Sequence, residues 1–141
     1  MGCIGIKSTG TIINELITTG LKIQNIGPKE EFLNRQKDLI EELGERYKNY
    51  ILVESLTIEL TDVLSELWRE QEVLYQNIHL LDKMTLATMS IPDDFERLEE
   101  CGIAGLKSLK LNKKRSDLIR RIDKMLGEES STVLEKSWKN V

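Results

Sequence analysis

An arginine stands where the sequence predicts the buried face of a helix. Apolar residues recur at three- and four-residue spacing between Leu111 and Leu126, and this spacing predicts one amphipathic helix. On a helical wheel, Arg115 falls within about 10° of the centre of the apolar stripe. A buried guanidinium is costly unless acceptors satisfy its five N–H groups. Two interpretations are open: a carboxylate at the rim of the stripe completes a structural network, or the missing anion is a ligand that binds the guanidinium in a fork geometry.

The other predicted helices also carry a polar residue or a glycine inside their apolar stripes. Gln36 and Gln71 fall near the stripe centres of the second and third helices, and Gly20 falls in the middle of the first. Asn112 lies at the edge of the last stripe. For a ligand at the arginine, we expect the glycine to leave space, the amides to orient the ligand and Trp68 to pack on it. The predicted ligand-binding residues are therefore Arg115, Asn112, Gln71, Gln36, Trp68 and Gly20.

The elements that must position these residues are all helical. No segment alternates with a period of two residues for long enough to predict a strand, so the expected fold is all-α. We predict a bundle of four main helices with a short extra helix and a polar C-terminal tail. The four main helices are expected from Thr9 or Thr11 to Ile26, Pro28 to Tyr50, Ser55 to Leu81 and Ile103 to Leu126, with a stop at Gly127, and the short helix from Pro92 to Gly102.

Length and composition bound the organisation of the chain. Its 141 residues suit one domain, predicted over residues 1–127, with a tail or short docked helix over 128–141. The net charge of −4 and the 5% aromatic content argue against a nucleic-acid binder. No apolar run has the length of a membrane span, and no signal peptide is visible. The two cysteines make neither a disulfide scaffold nor a zinc cluster, so the expected location is cytoplasmic.

Two acidic segments, Glu41-Glu42-Leu43-Gly44-Glu45 and Glu59-Leu60-Thr61-Asp62-Val63-Leu64, resemble the MazG-type nucleotide pyrophosphohydrolases, which are all-α enzymes with an ExxE helix followed by an ExxD helix. The resemblance implies that Glu42, Glu45, Glu59 and Asp62 hold magnesium ions on the phosphates of a nucleotide, and hard oxygen ligands suit that metal. On the wheels, however, these carboxylates lie about 100° to 175° from the apolar stripes, where a solvated acidic face is the ordinary explanation. A homo-oligomer is the arrangement that could close a metal site over such outer faces.

A second resemblance spans most of the chain. The segments ELITTGLK (residues 15–22), LWREQE (67–72) and LNKKRSDLIRRID (111–123) are similar to a loose group of small all-helical proteins of unknown function, with ELIT, LWxxQE and LNxxRxxLIxxID motifs. That resemblance implies that Asn112, Arg115 and Asp123 belong to one constellation. The resemblance implies no activity. From the arginine inside the stripe we predict that the protein binds a small anionic molecule, such as a nucleotide, without catalysis and without a cofactor. We also predict a helical homo-oligomer, because long amphipathic helices with wide apolar faces readily pair. The alternatives are the magnesium-dependent pyrophosphohydrolase and a ligand-free protein-interaction module.

Overall fold

The computed structural model describes residues 7–77 and 92–128, apart from the side chains at 45, 47, 49 and 92–95. Four α-helices and one 3₁₀ helix form this part of the chain, and it contains no strand. The all-α fold with four main helices is therefore confirmed. In chain order the helices are α1 (Thr9–Asn25), α2 (Glu30–Leu43), the 3₁₀ helix (Gly44–Asn49), α3 (Tyr50–Gln76) and α4 (Pro92–Met125).

Several helix boundaries differ from the sequence-based expectation. Ser8 is the N-cap of α1, because its hydroxyl accepts from the amide of Thr11. The predicted second helix changes to 3₁₀ geometry at Gly44, whose φ of 46° lies outside the helical range. The predicted short helix that starts at Pro92 is the first part of a 34-residue α4, which continues through Gly102. A glycine inside a helix costs only about 1 kcal/mol, and packing overrides that cost here.

The end of α4 agrees with the expectation. Gly127 has a φ of 73°, and its amide donates to the carbonyl of Lys124, while the amide of Glu128 donates to the carbonyl of Asp123. This pair of hydrogen bonds is the Schellman arrangement, in which a glycine in the left-handed region ends the helix. Glu128, the first residue of the predicted tail, is thereby held at the C-terminus of α4. The rest of the predicted tail, residues 129–141, lies outside the described residues.

The described residues fall into two compact units. Unit 1 comprises residues up to 64 together with residues from 115 onward, and unit 2 comprises residues 65–114. Both α3 and α4 contribute residues to each unit. Segments of all four helices supply fully buried side chains to unit 1, namely Ile12, Leu39, Val53, Leu60, Leu118 and Ile122. The prediction of a single domain over 1–127 stays a prediction.

The packing of α1 on α2 shows how unit 1 is held together. Ile12 of α1 packs with Leu39 and Leu43 of α2, so that the hydrophobic faces of the two helices are buried against each other. At the rim, the carboxylate of Glu15 forms an ion pair with Arg35. As a separate observation, none of the helices within residues 7–77 and 92–128 has the length and apolar composition of a membrane span.

Candidate functional site

The N-terminus of α1 is bound by carboxylates from the C-terminal end of α4. The amide of Gly10 donates to Oδ1 of Asp123 at 2.8 Å, and the amide of Thr9 donates to Oε1 of Glu128 at 3.0 Å. The first amides of a helix have no partner within the helix, and the positive end of its dipole favours negative charge. These contacts, which we call the α1–α4 clasp (Thr9, Gly10, Asp123 and Glu128), therefore satisfy the first two amides of α1 and place carboxylates at the positive end of its dipole.

Gly10 lets the two helices approach each other closely. A Cβ atom at this position would lie 2.7 Å from Oδ1 of Asp123 and 2.7 Å from the carbonyl oxygen of Ile119. Both distances are shorter than van der Waals contact allows, and one of the two atoms belongs to the backbone of α4. Only glycine fits this position without moving a helix. Gly20, which the sequence analysis singled out, is different, because a Cβ there would meet no atom within 4 Å.

Asp123 lies deeper than its wheel position predicts. On a helical wheel, Asp123 falls at the edge of the apolar stripe of the last helix or beyond it, but the structure buries it completely, at 0% exposure. The reason is tertiary: the glycine removes the side chain that would otherwise separate Asp123 from α1, and the helix N-terminus supplies a donor for its carboxylate. A buried carboxylate is tolerated where such donors compensate for the lost water.

Arg115 has no partner comparable to that of Asp123. The residue is half-buried, and its Nε atom is buried without a hydrogen-bond partner. Among the described residues no carboxylate pairs with it, so the rim carboxylate that a structural network requires is not found there. Oδ1 of Asn14 on α1 is likewise buried without a partner. Asn14 was not singled out from the sequence, although its position four residues after Gly10 places both on one face of α1.

The six predicted ligand-binding residues divide between the two units. Unit 1 holds Arg115 together with Gln36 and Gly20, all three half-buried. Unit 2 holds the other three, of which Asn112 is half-buried and Trp68 donates from Nε1 to Oε1 of Glu72 at 2.9 Å. Gln71 is exposed, so its predicted position inside the buried stripe of the third helix is wrong. The physical reason is that a wheel gives the direction of a side chain but not whether another helix covers it.

The carboxylates of the pyrophosphohydrolase alternative point to solvent where they are described. Glu42, Glu59 and Asp62 are exposed, and the side chain of Glu45 lies outside the described residues. No group of three or more histidine, cysteine, aspartate or glutamate side chains able to hold a metal ion occurs in the described part of the chain. The geometry therefore lends this alternative no support, and it stays a sequence-based prediction.

Two other spaces, one in each unit, are candidates for a ligand site. A cavity in unit 1 has a volume of about 10 Å³ and lies beside Arg46, Tyr50 and Leu126. That volume holds at most one water molecule. An open groove of about 470 Å³ in unit 2 is lined by Glu66, Arg69, Glu70, Lys107, Lys110 and Leu111, and its charges include a 3.8 Å ion pair between Lys107 and Glu70. The groove carries both signs of charge, with three basic and two acidic side chains.

Comparisons with known proteins add no further constraint on the site. No family model matches the chain, and searches of the curated proteins and of the solved structures found no match.

Proposed function

We propose that this protein binds a small anionic molecule without catalysis, with Arg115 as the anchor for the anion. The single observation that carries this proposal is the buried Nε of Arg115, which lacks a hydrogen-bond partner in the described part of the chain. A buried donor without an acceptor costs more free energy when it belongs to a charged group. An oxyanion removes that cost and neutralises the charge at the same time.

The chemistry of the guanidinium defines the ligand class. Nε and one terminal nitrogen present two parallel N–H groups, and the oxygens of a carboxylate or phosphate match that spacing. Arg115 is half-buried as a residue, so part of it borders solvent, whereas its Nε atom is covered. A nucleotide presents the same phosphate oxygens and is the larger ligand that we propose to test.

The test is isothermal titration calorimetry with inorganic phosphate and with acetate. Arg115→Met retains most of the side-chain volume and removes the charge, so we expect it to weaken phosphate binding at least tenfold, which is about 1.4 kcal/mol. Arg121→Met is the matched control, because Arg121 is exposed on the same helix, and we expect its loss to leave binding unchanged. Circular dichroism establishes that both variants remain helical. Equal phosphate affinity in folded Arg115→Met and wild type contradicts the proposal.

We also propose that the binding protein is a homo-oligomer in the cytoplasm. Large apolar side chains are exposed on α3, with Ile51 at 81% and Ile58 at 56% exposure. These two residues are seven apart, so they lie on one face of the helix, and exposed apolar faces of this kind are typical of interaction surfaces. Native mass spectrometry of the purified protein measures the subunit number, and Ile51→Glu together with Ile58→Glu is expected to lower it. A monomeric wild type contradicts this part of the proposal.

A further inference from the structure

The part of α4 that belongs to unit 2 carries exposed apolar side chains on the side opposite to its own packing. The side chains that it buries are small and lie on one side of the helix, namely Cys101, Ala104 and Ser108. About 180° round the helix from them, Leu106 is 63% exposed. Ile103 and Leu109 are also exposed, and they lie three residues before and after Leu106, within about 60° of it. Exposed apolar side chains that share one face are typical of an interaction surface.

Charges of opposite sign stand at the two ends of this apolar face. Exposed carboxylates lie at its N-terminal end and exposed ammonium groups at its C-terminal end, namely Glu96, Glu99 and Glu100, and Lys110, Lys113 and Lys114. Arg97, the basic residue among the acids, lies about 180° from Leu106 and therefore off the face. Within residues 7–77 and 92–128, none of the six charged side chains forms an ion pair. Each end also holds like charges four residues apart, which repel each other until a partner of opposite sign is present.

A second copy of the same helix, running antiparallel, complements this surface. Glu99 and Lys113 are each seven residues, or about 10.5 Å, from Leu106 along the helix, and each lies within about 20° of it. A two-fold axis beside Leu106 therefore brings Glu99 level with Lys113 of the partner subunit, and it does so twice. The same axis brings the two copies of Leu106 together. It also places Leu109 of the partner subunit beside Gly102, where a Cβ atom would have no neighbour within 4 Å and space is available.

We propose that the protein dimerises through this face, with α4 of one copy antiparallel to α4 of the other and Leu106 at the two-fold axis. Contacts that use the same patch on both copies are the commonest in homo-oligomers. This contact goes beyond the one proposed on α3, because it uses a different helix and defines which residues meet. An anionic membrane also attracts basic and apolar side chains, but it repels Glu96 and Glu99 on the same face. A second copy of the chain is therefore the partner that fits.

Charge reversal tests the antiparallel register. Glu99→Lys and Lys113→Glu each place like charges opposite each other at both ends of the contact, so we expect each to raise the dimer dissociation constant at least about tenfold. The double variant, which carries both changes in one chain, restores opposite charges and is expected to recover the wild-type constant. A mixture of the two single variants is expected to form heterodimers for the same reason. Lys37→Glu, an exposed charge reversal on α2, is the matched control and is expected to leave the constant unchanged.

Leu106→Glu tests the centre of the contact. It replaces the two facing leucines by two like charges, and we expect it to raise the dissociation constant at least about a hundredfold. Leu33→Glu is the matched control, because Leu33 is exposed on α2, away from this face. Sedimentation velocity over a range of protein concentrations measures all these variants in the Ile51→Glu, Ile58→Glu background, which removes the contact proposed on α3. Circular dichroism establishes that each variant remains helical.

The outcomes separate the α4 contact from the α3 contact. A dimer in that background that Leu106→Glu dissociates, and that the double charge reversal restores, supports the α4 contact. A monomer in that background, or a dimer that neither Leu106→Glu nor the single reversals weaken, overturns it and leaves the α3 contact to its own test. A monomeric wild type overturns both. Cosedimentation with phosphatidylserine vesicles that Leu106→Glu abolishes without a change in subunit number assigns the face to a membrane and overturns the inference.

Discussion

Replacement of Gly10 by alanine tests the close approach of α1 and α4. The new Cβ atom would lie 2.7 Å from Oδ1 of Asp123 and from the carbonyl oxygen of Ile119. A rotamer change of Asp123 relieves only the first contact, and it breaks the hydrogen bond from the Gly10 amide. The second contact involves the backbone of α4, so the helices must separate or shift.

The magnitude follows from three contributions to the free energy of unfolding. Overpacking in a filled interior costs about 1–3 kcal/mol. Weakening a buried hydrogen bond to a charged group costs about 1.5–3 kcal/mol. The better helix propensity of alanine returns about 1 kcal/mol. We expect Gly10→Ala to lower the free energy of unfolding by about 1.5–5 kcal/mol, a large share of the roughly 5–15 kcal/mol typical of a folded domain.

Gly20→Ala is the matched control, because it makes the same substitution in the same helix. A Cβ atom at Gly20 would have no neighbour within 4 Å, so alanine gains helix propensity without a clash. We expect a gain of about 0.5–1 kcal/mol. Urea unfolding followed by circular dichroism measures both variants, and the two midpoints should move in opposite directions. If Gly10→Ala is as stable as Gly20→Ala, the close packing of α1 on α4 is refuted.

Two further substitutions probe the α1–α4 clasp and the core, both measured by urea unfolding. Glu128→Ala removes the acceptor for the amide and the hydroxyl of Thr9, so we expect the free energy of unfolding to fall by about 1–2 kcal/mol. An unchanged urea midpoint would mean that these hydrogen bonds do not form in solution. Leu60→Ala, at a position with 0% exposure, should cost about 2–5 kcal/mol. Leu52→Ala, at 58% exposure on the same helix and off the face of Ile51 and Ile58, should cost less than about 1 kcal/mol, and similar losses for the two leucines would contradict the assigned burial.

The α1–α4 clasp also explains why Asp123 has a hydrogen-bond donor in the fold, whereas Nε of Arg115 on the same helix has no acceptor among the described residues. Asp123 faces the start of α1, where a helix terminus offers backbone donors and positive potential. Arg115 is itself a hydrogen-bond donor, so helix amides cannot serve it, and its buried Nε has no acceptor among the described residues. Asp123 is therefore hydrogen-bonded to the backbone of α1, whereas the partner that we propose for Arg115 is a ligand anion.

The sequence alone determines the local features of this protein. Three- and four-residue spacing of apolar residues predicted the helices and most of the buried positions, because a side chain's direction on a helix repeats every 3.6 residues. The stop of α4 at Gly127 was predicted for an equally local reason, since glycine adopts the left-handed conformation without strain. The polar position of Arg115 inside an apolar stripe was also visible from the sequence.

Only the tertiary structure decided which residues meet. Gly10 and Asn14 carry no signal of their own, and they gain significance because α4 approaches that face of α1. Asp123 is buried and Gln71 is exposed, although their wheel positions indicated the reverse order. Burial depends on which neighbouring helix covers a face, and that neighbour comes from a distant part of the chain, as the hydrogen bond between Gly10 and Asp123 shows across 113 residues.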